Sequence, residues 1–239
     1  MPHALLDSMT TITLNLQAVR TRIERAAAAC GRDAREIALL AVSKNASMHA
    51  IEEARAAGQR AFGESYVQEA VNKITQLGSQ DIEWHFIGPI QSNKTRLIAR
   101  HFHWVHGIER DKVAVRLNDA RPAELAPLNV CIQVNVSGES SKSGVAPGSE
   151  EELARVIGGL NRLRLRGLMA IPEPTPDVVL QRERYQAVRK LRGALEQSGY
   201  ALDTLSMGMS DDLESAIAEG ATVVRVGTAI FGKRETLKE

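Results

Sequence analysis

Short aliphatic runs alternate with amphipathic stretches along most of this chain. The first stretch, residues 10–30, places apolar side chains at Ile12, Leu16, Val19, Ile23 and Ala27. Steps of three and four residues predict one face of a helix, and Gly31 is a typical residue for its end. The next run, residues 37–43, is aliphatic up to Val42. Such a run is typical of a strand that is buried on both faces of a parallel sheet.

The same alternation continues to the end of the chain. Strands are predicted at residues 37–43, 60–64, 83–87, 103–106, 128–136, 163–170, 202–206 and 222–226. Helices are predicted between them at residues 47–57, 66–77, 93–100, 110–119, 150–160, 177–197 and 211–218. Eight strands, each followed by a helix or a helical turn within about 200 residues, fit a closed (β/α)8 TIM barrel with an extra N-terminal helix.

A doubly wound open sheet is the competing architecture. Such a sheet would normally need fewer strands, and no G-x-G-x-x-G motif opens the first helix after a strand. The chain shows no repeat beyond the strand-helix unit, no low-complexity segment and no linker that would divide it. We therefore expect a single α/β barrel domain that spans residues 1–239.

Composition and charge argue against several classes of function. Hydrophobic residues make up 44% of the 239 residues, and the formal net charge of +1 gives no long-range field for nucleic acid or an anionic membrane. Cys30 and Cys131 lie in different predicted elements, which argues against a disulfide framework and suits a reducing cytoplasm. The first residues lack the pattern of a signal peptide, and no apolar stretch is long enough to span a membrane. We expect a cytoplasmic monomer.

The carboxyl ends of barrel strands carry the functional residues, and the first strand leads into Lys44. A lysine at the end of a buried strand is costly unless solvent, an anion or a covalent partner meets its ammonium group. One interpretation is that Lys44 simply reaches water. The other is a Schiff-base lysine, because a partly desolvated ammonium loses its proton readily.

Strand five has one aliphatic and one mixed face. Cys131, Gln133 and Asn135 alternate with valine and isoleucine residues, and helices cover the outside of a barrel. The mixed face should therefore point inward, with Asn135 near the mouth. Whether Gln133 and Asn135 bind a ligand or complete a polar interior layer stays open.

The loops after strands seven and eight have the composition of a phosphate site. Glycines at 208 and 227 permit close approach of the backbone, and hydroxyl donors stand at Ser206, Ser210 and Thr228. Barrels often bind phosphate with these two loops and a helix N-terminus. Alternatively, Ser210 is a plain N-cap, and Asp211 and Asp212 complement the helix dipole. Both loops together with Lys44 favour a cofactor that carries a phosphate and an aldehyde.

Several ordered motifs resemble one family. They are AVSK at 41–44, FGESYVQEAVNK at 62–73, WHFIGPIQSNK at 84–94, NVSGESSKSG at 135–144, LRGLMAIPEP at 165–174, SMGMSDDLESAI at 206–217 and VVRVGTAIFGKR at 223–234. The chain resembles the pyridoxal phosphate homeostasis protein family, which is related to the barrel domain of alanine racemase. The resemblance covers nearly the whole chain from about residue 10.

The resemblance implies a cofactor, pyridoxal 5'-phosphate, and a role for individual residues. It implies that Lys44 forms the Schiff base and that Ser210, Gly227 and Thr228 hold the phosphate. Arg225 matches the racemase arginine that faces the pyridine nitrogen. One departure is visible, because Ser65 stands where the family usually has asparagine, and a direct contact from that position becomes doubtful.

Two features argue against carbanion chemistry. An arginine at the ring nitrogen leaves the ring a weak electron sink. The similar racemases use a tyrosine from a further C-terminal domain as second base, whereas this sequence stops at Glu239. Its tyrosines are Tyr66, Tyr185 and Tyr200, and the last two lie in or after the sixth barrel helix, away from the predicted mouth.

Three interpretations follow. The resemblance favours a binding protein of vitamin B6 homeostasis that holds pyridoxal phosphate on Lys44 and hands it to apo-enzymes, with no catalytic residues. An amino-acid racemase would need a second acid or base opposite Lys44. A barrel enzyme for another phosphate ester would use Lys44 only as a charge partner.

The remaining signals are weaker. Lys94, Arg96 and Arg100 form a basic helical face, and Lys142 lies in a loop that would suit a lid. His85 and His106 are expected to satisfy hydrogen bonds in the core, and no Cys/His spacing suggests a metal site.

Overall fold

Parallel strands close into a barrel in chain order, and the last strand pairs with the first. The computed structural model describes residues 10–78, 81–138 and 143–232. The strands are β1 Ala38–Val42, β2 Ala61–Glu64, β3 Glu83–Phe86, β4 Trp104–Ile108, β5 Leu128–Gln133, β6 Leu163–Met169, β7 Thr204–Ser206 and β8 Val223–Val226. The predicted closed barrel is confirmed, and each predicted strand is present with ends that differ by a few residues.

Helices separate the strands along the chain. They are α1 Thr11–Ala29, α2 Met48–Ala56, α3 Val67–Leu77, α4 Thr95–His101, α5 Asp111–Ala120, α6 Glu150–Gly158, α7 Val178–Gln197, α8 Leu213–Ala218 and α9 Thr228–Phe231. The sequence pattern did not predict α9 or the 3-10 turn Ala34–Glu36. None of the helices in the described ranges is long and apolar enough to cross a membrane.

The extra helix α1 precedes the barrel and packs beside it. Thr10 caps the helix, since its hydroxyl accepts a hydrogen bond from the Thr13 amide at 3.2 Å. The predicted apolar stripe is buried at Leu16, Val19, Ile23 and Ala27. Contacts with α2, α8 and α9 place this stripe against the helices next to β1 and β8.

The two faces of β5 separate two layers of core, as the alternation predicts. Val130 and Ile132 belong to the large cluster that also contains side chains from the surrounding helices. Cys131 packs with Trp104 and Met169 in a small separate cluster, which lies inside the barrel. Cys30 is exposed and Cys131 is buried, and both are free thiols.

Candidate functional site

A cavity of about 1040 Å³ opens at the carboxyl ends of the strands. Its wall is built by the loops that follow β1, β2, β3, β6, β7 and β8, together with one side chain from α1. The lining residues include Arg22, Lys44, Ser65, Tyr66, Gly88, Lys94, Ile171, Ser210, Asp211, Arg225, Gly227 and Thr228. The cavity therefore lies where functional sites of barrel proteins are found.

Lys44 lies in a turn just beyond β1 and lines this cavity. The strand was predicted to run to residue 43, directly before Lys44. It ends at Val42, so Lys44 stands two positions beyond it. The next residue, Asn45, has φ of +61°, a left-handed conformation that few side chains other than asparagine and aspartate adopt readily. The turn is thus tight, and it presents Lys44 at a defined point of the wall.

A buried ionic cluster holds the turn on both sides of Lys44. The ammonium of Lys73, on α3, donates to the carbonyl of Ser43 at 2.7 Å and to Glu69 Oε1 at 2.5 Å. The same Glu69 oxygen accepts from the amide of Asn45 at 2.7 Å. The backbone groups that flank Lys44 are therefore fixed by one ion pair.

Glu64 completes this cluster at the end of β2. Its side chain is 0% exposed and that of Lys73 is 8% exposed. Glu64 Oε1 accepts from Lys73 at 2.9 Å and from the Ser43 hydroxyl at 2.6 Å, while its Oε2 has no hydrogen-bond partner among the described residues. Burial raises the pKa of Glu64 above its ordinary value, and the charge of Lys73 acts in the opposite direction.

Arg225, on β8, forms the floor of the cavity and is 4% exposed. Its guanidinium donates to the Ser206 hydroxyl and to the carbonyl of Ala170, each at 2.8 Å. Burial lowers the pKa of Arg225, and the nearby Tyr185 and Asp212 oppose that effect. Because a guanidinium carries only donors, it presents N–H groups and positive charge to anything that binds above it.

The loops after β7 and β8 bring Ser210, Gly227 and Thr228 to the same wall. A Cβ at position 227 would lie 3.2 Å from the carbonyl oxygen of Val42, so this loop approaches β1 closely. At Gly208, φ is +92° and an added Cβ would lie 2.5 Å from the Cβ of Ala216. Position 208 therefore requires glycine, whereas position 227 is a tight approach of the loop to β1.

The two aspartates of the β7 loop differ in position. The helix predicted at 211–218 begins later, at Leu213, because the Met209 amide donates to Asp212 Oδ1 at 2.6 Å and closes a turn. The hydroxyl of Tyr185 donates to the other oxygen of Asp212 at 2.7 Å. The Asp212 carboxylate is thus engaged outside the cavity wall, whereas Asp211 is exposed on it.

Ser206 occupies a different position from the one we predicted. It is fully buried and is not among the residues that line the cavity in the described chain. Its hydroxyl is enclosed by Arg225 and by His106 Nδ1, which lies 2.7 Å away. The structure therefore places Ser206 behind Arg225, where it supports the guanidinium instead of facing the cavity.

Among the other residues singled out in the sequence, some line the cavity and others lie elsewhere. Ser65 lines the cavity, whereas Asn135 lies past the end of β5, and its side chain accepts from the Gly138 amide at 3.1 Å. Lys94 lines the cavity too, but Arg96 and Arg100 face a separate groove. Lys142 lies outside the described residues.

Buried histidines satisfy hydrogen bonds inside the barrel, as predicted. His85 Nδ1 lies 2.9 Å from His106 Nε2. No group of three or more His, Cys, Asp or Glu side chains in the described ranges could hold a metal ion.

Comparison with known proteins identifies the family. The family model described as alanine racemase, N-terminal domain, matches residues 14–235. The pyridoxal phosphate homeostasis protein of Pseudomonas aeruginosa is 57% identical over 227 residues, which cover 95% of this chain and 97% of that protein. The chain belongs to the pyridoxal phosphate homeostasis protein family. The Escherichia coli member is 55% identical over 234 residues, with 97% and 100% of the two chains covered.

Solved structures agree with this membership. PipY of Synechococcus elongatus, determined with PLP bound, is 34% identical with a TM-score of 0.80, and the match covers 92% of this chain and 100% of that one. Alanine racemase of Corynebacterium glutamicum is 16% identical with a TM-score of 0.69, covering 96% of this chain and 63% of that one. The second likeness shows the shared barrel fold, as expected for an alanine racemase N-terminal-domain-like structure.

The sequence interpretation did not identify two groups of residues that support the cavity wall. The first is the buried ionic cluster around Lys73, whose residues we quoted only as part of family motifs. The second is on α1, where Arg22 donates to the carbonyl of Ser210 at 3.0 Å and Asn15 donates to the carbonyl of Ile230 at 2.9 Å. The spacing of Glu69 and Lys73 on a helix was a signal for an ion pair, but nothing in the sequence marked α1 as part of the site.

Proposed function

We propose that this protein binds pyridoxal 5'-phosphate in the cavity, bonded covalently to Lys44, and serves the homeostasis of that cofactor without turnover of a substrate. The observation that carries the proposal is the convergence of three features on one cavity: a lysine in a rigid turn, a buried donor-only arginine and two glycine- and hydroxyl-bearing loops. When bound, pyridoxal phosphate supplies three groups: an aldehyde, which can condense with an amine; a ring nitrogen; and an anionic phosphate.

Each chemical group of the cofactor has a matching set of residues. The amine of Lys44 would take the aldehyde, and Ser210, Gly227 and Thr228 would hold the phosphate through hydroxyl and backbone donors. Arg225 would face the ring nitrogen. The guanidinium of Arg225 carries only donors, so it favours a ring nitrogen that is unprotonated and can accept. An unprotonated ring withdraws electrons from a bound amino acid only weakly.

The buried ionic cluster beside Lys44 supports a role in holding the cofactor. Lys73 and Glu69 fix the backbone on either side of Lys44, so the amine meets its partner from a pre-organised turn. Tyr66, which lines the cavity, is also 54% exposed, so the cavity is open to solvent at this residue. A cofactor bound there would remain accessible to an apo-enzyme that accepts it.

Racemase activity is the second candidate, and one observation makes it testable. A racemase needs acid/base groups on both faces of the substrate, and Tyr66 is a cavity-lining residue with a suitable hydroxyl. We infer that Tyr66 does not serve this purpose, because its exposed position does not exclude water from the site. A Tyr66→Phe variant separates the two functions.

The decisive experiment follows the cofactor. The protein should acquire a visible absorption band with pyridoxal phosphate, and borohydride reduction followed by peptide mass spectrometry should place the adduct on Lys44. The loaded protein should activate an apo-enzyme that depends on this cofactor and should racemise alanine or serine no faster than free cofactor does. Sustained racemisation that Tyr66→Phe abolishes would establish the racemase instead.

We also propose that the chain acts as a cytoplasmic monomer built on one domain. The free thiols of Cys30 and Cys131 suit a reducing cytoplasm, and the closed barrel together with the absence of a dividing linker in the sequence supports one domain. Light scattering of the loaded and unloaded protein would measure the molar mass directly.

A further inference from the structure

A row of hydrogen-bonded side chains runs through the barrel interior, away from the cavity floor. Arg225 donates to Ser206, whose hydroxyl lies 2.7 Å from His106 Nδ1. His106 Nε2 lies 2.9 Å from His85 Nδ1, and His85 Nε2 lies 2.8 Å from Glu83 Oε1. Glu83 is the first residue of β3, so it belongs to the end of the barrel opposite the cavity.

The first four members of this row are buried and the last is not. Arg225 and His85 are 4% exposed, and Ser206 and His106 are 0% exposed. The Glu83 side chain is 51% exposed. The ring of His85 also stacks on Trp104 with 6° between the planes and 5.4 Å between the centroids, which fixes its orientation. The row thus links a surface carboxylate to the floor of the cavity.

The chemistry of the groups gives this row a direction. Arginine can only donate, so Ser206 accepts from it and has its own O–H free to donate to His106 Nδ1. A neutral His106 then carries its proton on Nε2 and donates to His85 Nδ1. His85 in turn carries its proton on Nε2 and donates to the Glu83 carboxylate. Every link points from Arg225 towards Glu83.

The electrostatics agree with this arrangement. Burial lowers the pKa of His85, and it lowers the pKa of His106 well below its ordinary value, so both rings are neutral at neutral pH. The hydrogen bond with His85 lowers the pKa of Glu83, which is therefore ionised. The reverse direction would require Glu83 or a histidine to bind an additional proton.

We propose that Glu83, His85, His106 and Ser206 are positioning residues for the cofactor, because their one-way hydrogen bonds fix the guanidinium of Arg225 from the far side of the barrel. The proposal rests on the proposed function only for its effect on pyridoxal phosphate. Loss of the acceptor at Glu83 would let the proton of His85 move to Nδ1. That proton would then shift the His106 proton to Nδ1, so that the Ser206 hydroxyl no longer donates to His106. The Ser206 oxygen would instead accept from both His106 and Arg225, and the bond from Arg225 would weaken because the row no longer polarises it.

The first test needs no cofactor and reads the parent protein, with variants used only to assign its signals. Nitrogen-15 NMR of histidine-labelled protein should show both His85 and His106 as neutral rings with the proton on Nε2. Assignment uses His85→Asn and His106→Asn variants, each of which removes one ring. A charged ring, or a proton on Nδ1 of either histidine, would overturn the proposal even if pyridoxal phosphate binding has already been shown.

The second test measures the effect on the cofactor. Glu83→Leu removes the acceptor and should move the His85 proton to Nδ1 and weaken pyridoxal phosphate binding about five- to tenfold, the usual effect of losing one buried hydrogen bond. Glu83→Gln keeps an acceptor oxygen and should restore both properties to those of the parent. Glu36→Leu is the matched control, since Glu36 is an exposed carboxylate just before β1, at the same end of the barrel, and pairs with Arg32 instead of joining the row.

The outcomes separate this proposal from the proposed function. Unchanged binding by Glu83→Leu, while the parent binds pyridoxal phosphate, would refute the positioning role and leave the proposed function standing. A parent that binds no pyridoxal phosphate would refute the proposed function, while the tautomer measurement would still decide whether the directional row exists.

Discussion

Replacing Lys73 with methionine tests how much the ionic cluster beside Lys44 contributes to the fold. The change keeps an unbranched apolar stem of similar size but removes an ammonium that donates to Ser43, Glu64 and Glu69. Glu64 would keep only the Ser43 hydroxyl as a partner, and its second oxygen already has none among the described residues. The variant therefore leaves a buried carboxylate without its cation.

The degree of burial decides the size of the effect. An exposed ion pair would contribute at most about 1 kcal/mol, but removing one partner of a buried pair costs about 3–5 kcal/mol. Lys73 and Glu64 are 8% and 0% exposed, whereas Glu69 is 28% exposed and can recover hydration. We expect the free energy of unfolding to fall by about 3 kcal/mol at neutral pH, near the lower end of that range.

The pH dependence provides a second check. Burial already raises the pKa of Glu64, and losing Lys73 removes the charge that opposed this rise. A carboxyl group whose folded-state pKa lies above its unfolded value binds more protons when folded, so stability increases as the pH falls through the folded pKa. The difference between variant and parent should therefore narrow in mildly acidic solution.

The assay is urea unfolding at neutral and mildly acidic pH. Lys190→Met is the control, because Lys190 is exposed on α7. A loss no greater than that of the control, or a difference that stays constant with pH, would refute the buried-pair argument.

Three further predictions concern separate parts of the molecule. Thr228→Ala should weaken retention of pyridoxal phosphate by about 1–3 kcal/mol, the value of a hydrogen bond to a charged group, while retention of unphosphorylated pyridoxal should not change in the same titration. Gly208→Ala should destabilise the protein by more than about 1 kcal/mol in thermal unfolding, whereas Gly193→Ala within α7, where an added Cβ meets nothing within 4 Å, should not. Burial raises the pKa of the Cys131 thiol to about 12, so iodoacetamide should label the exposed Cys30 in the folded protein and leave Cys131 unmodified, as peptide mapping would show.

The barrel was predictable because short, largely apolar segments alternate with amphipathic helices along the chain. That alternation depends only on which side chains must avoid water, so the order and type of the elements follow from it. The ends of elements depend on local hydrogen bonds that the pattern does not encode. The late start of α8 shows this, because it results from the bond between the Met209 amide and Asp212.

Site residues were predictable where they follow a strand. They were less predictable within a strand, because the direction of the side chain depends on how the strand pairs with its neighbours. Lys44, Ser210, Gly227 and Thr228 lie in loops at the mouth, and they line the cavity. Ser206 is the last residue of β7, a strand of only three residues, and its direction follows from pairing with β6 and β8. The alternation of so short a strand could not show that Ser206 faces His106.

Helix α1 is tied to both loops that flank the proposed phosphate position, although it lies outside the repeating strand-helix units. Arg22 holds a carbonyl of the β7 loop, and Asn15 holds a carbonyl at the end of α9. We therefore expect docking of the helix to be coupled to occupation of the loops, and any such coupling strengthens both by the same factor. Amide hydrogen exchange in α1 should slow when the cofactor binds. The time for which the cofactor stays bound would then depend on a helix that is not part of the barrel.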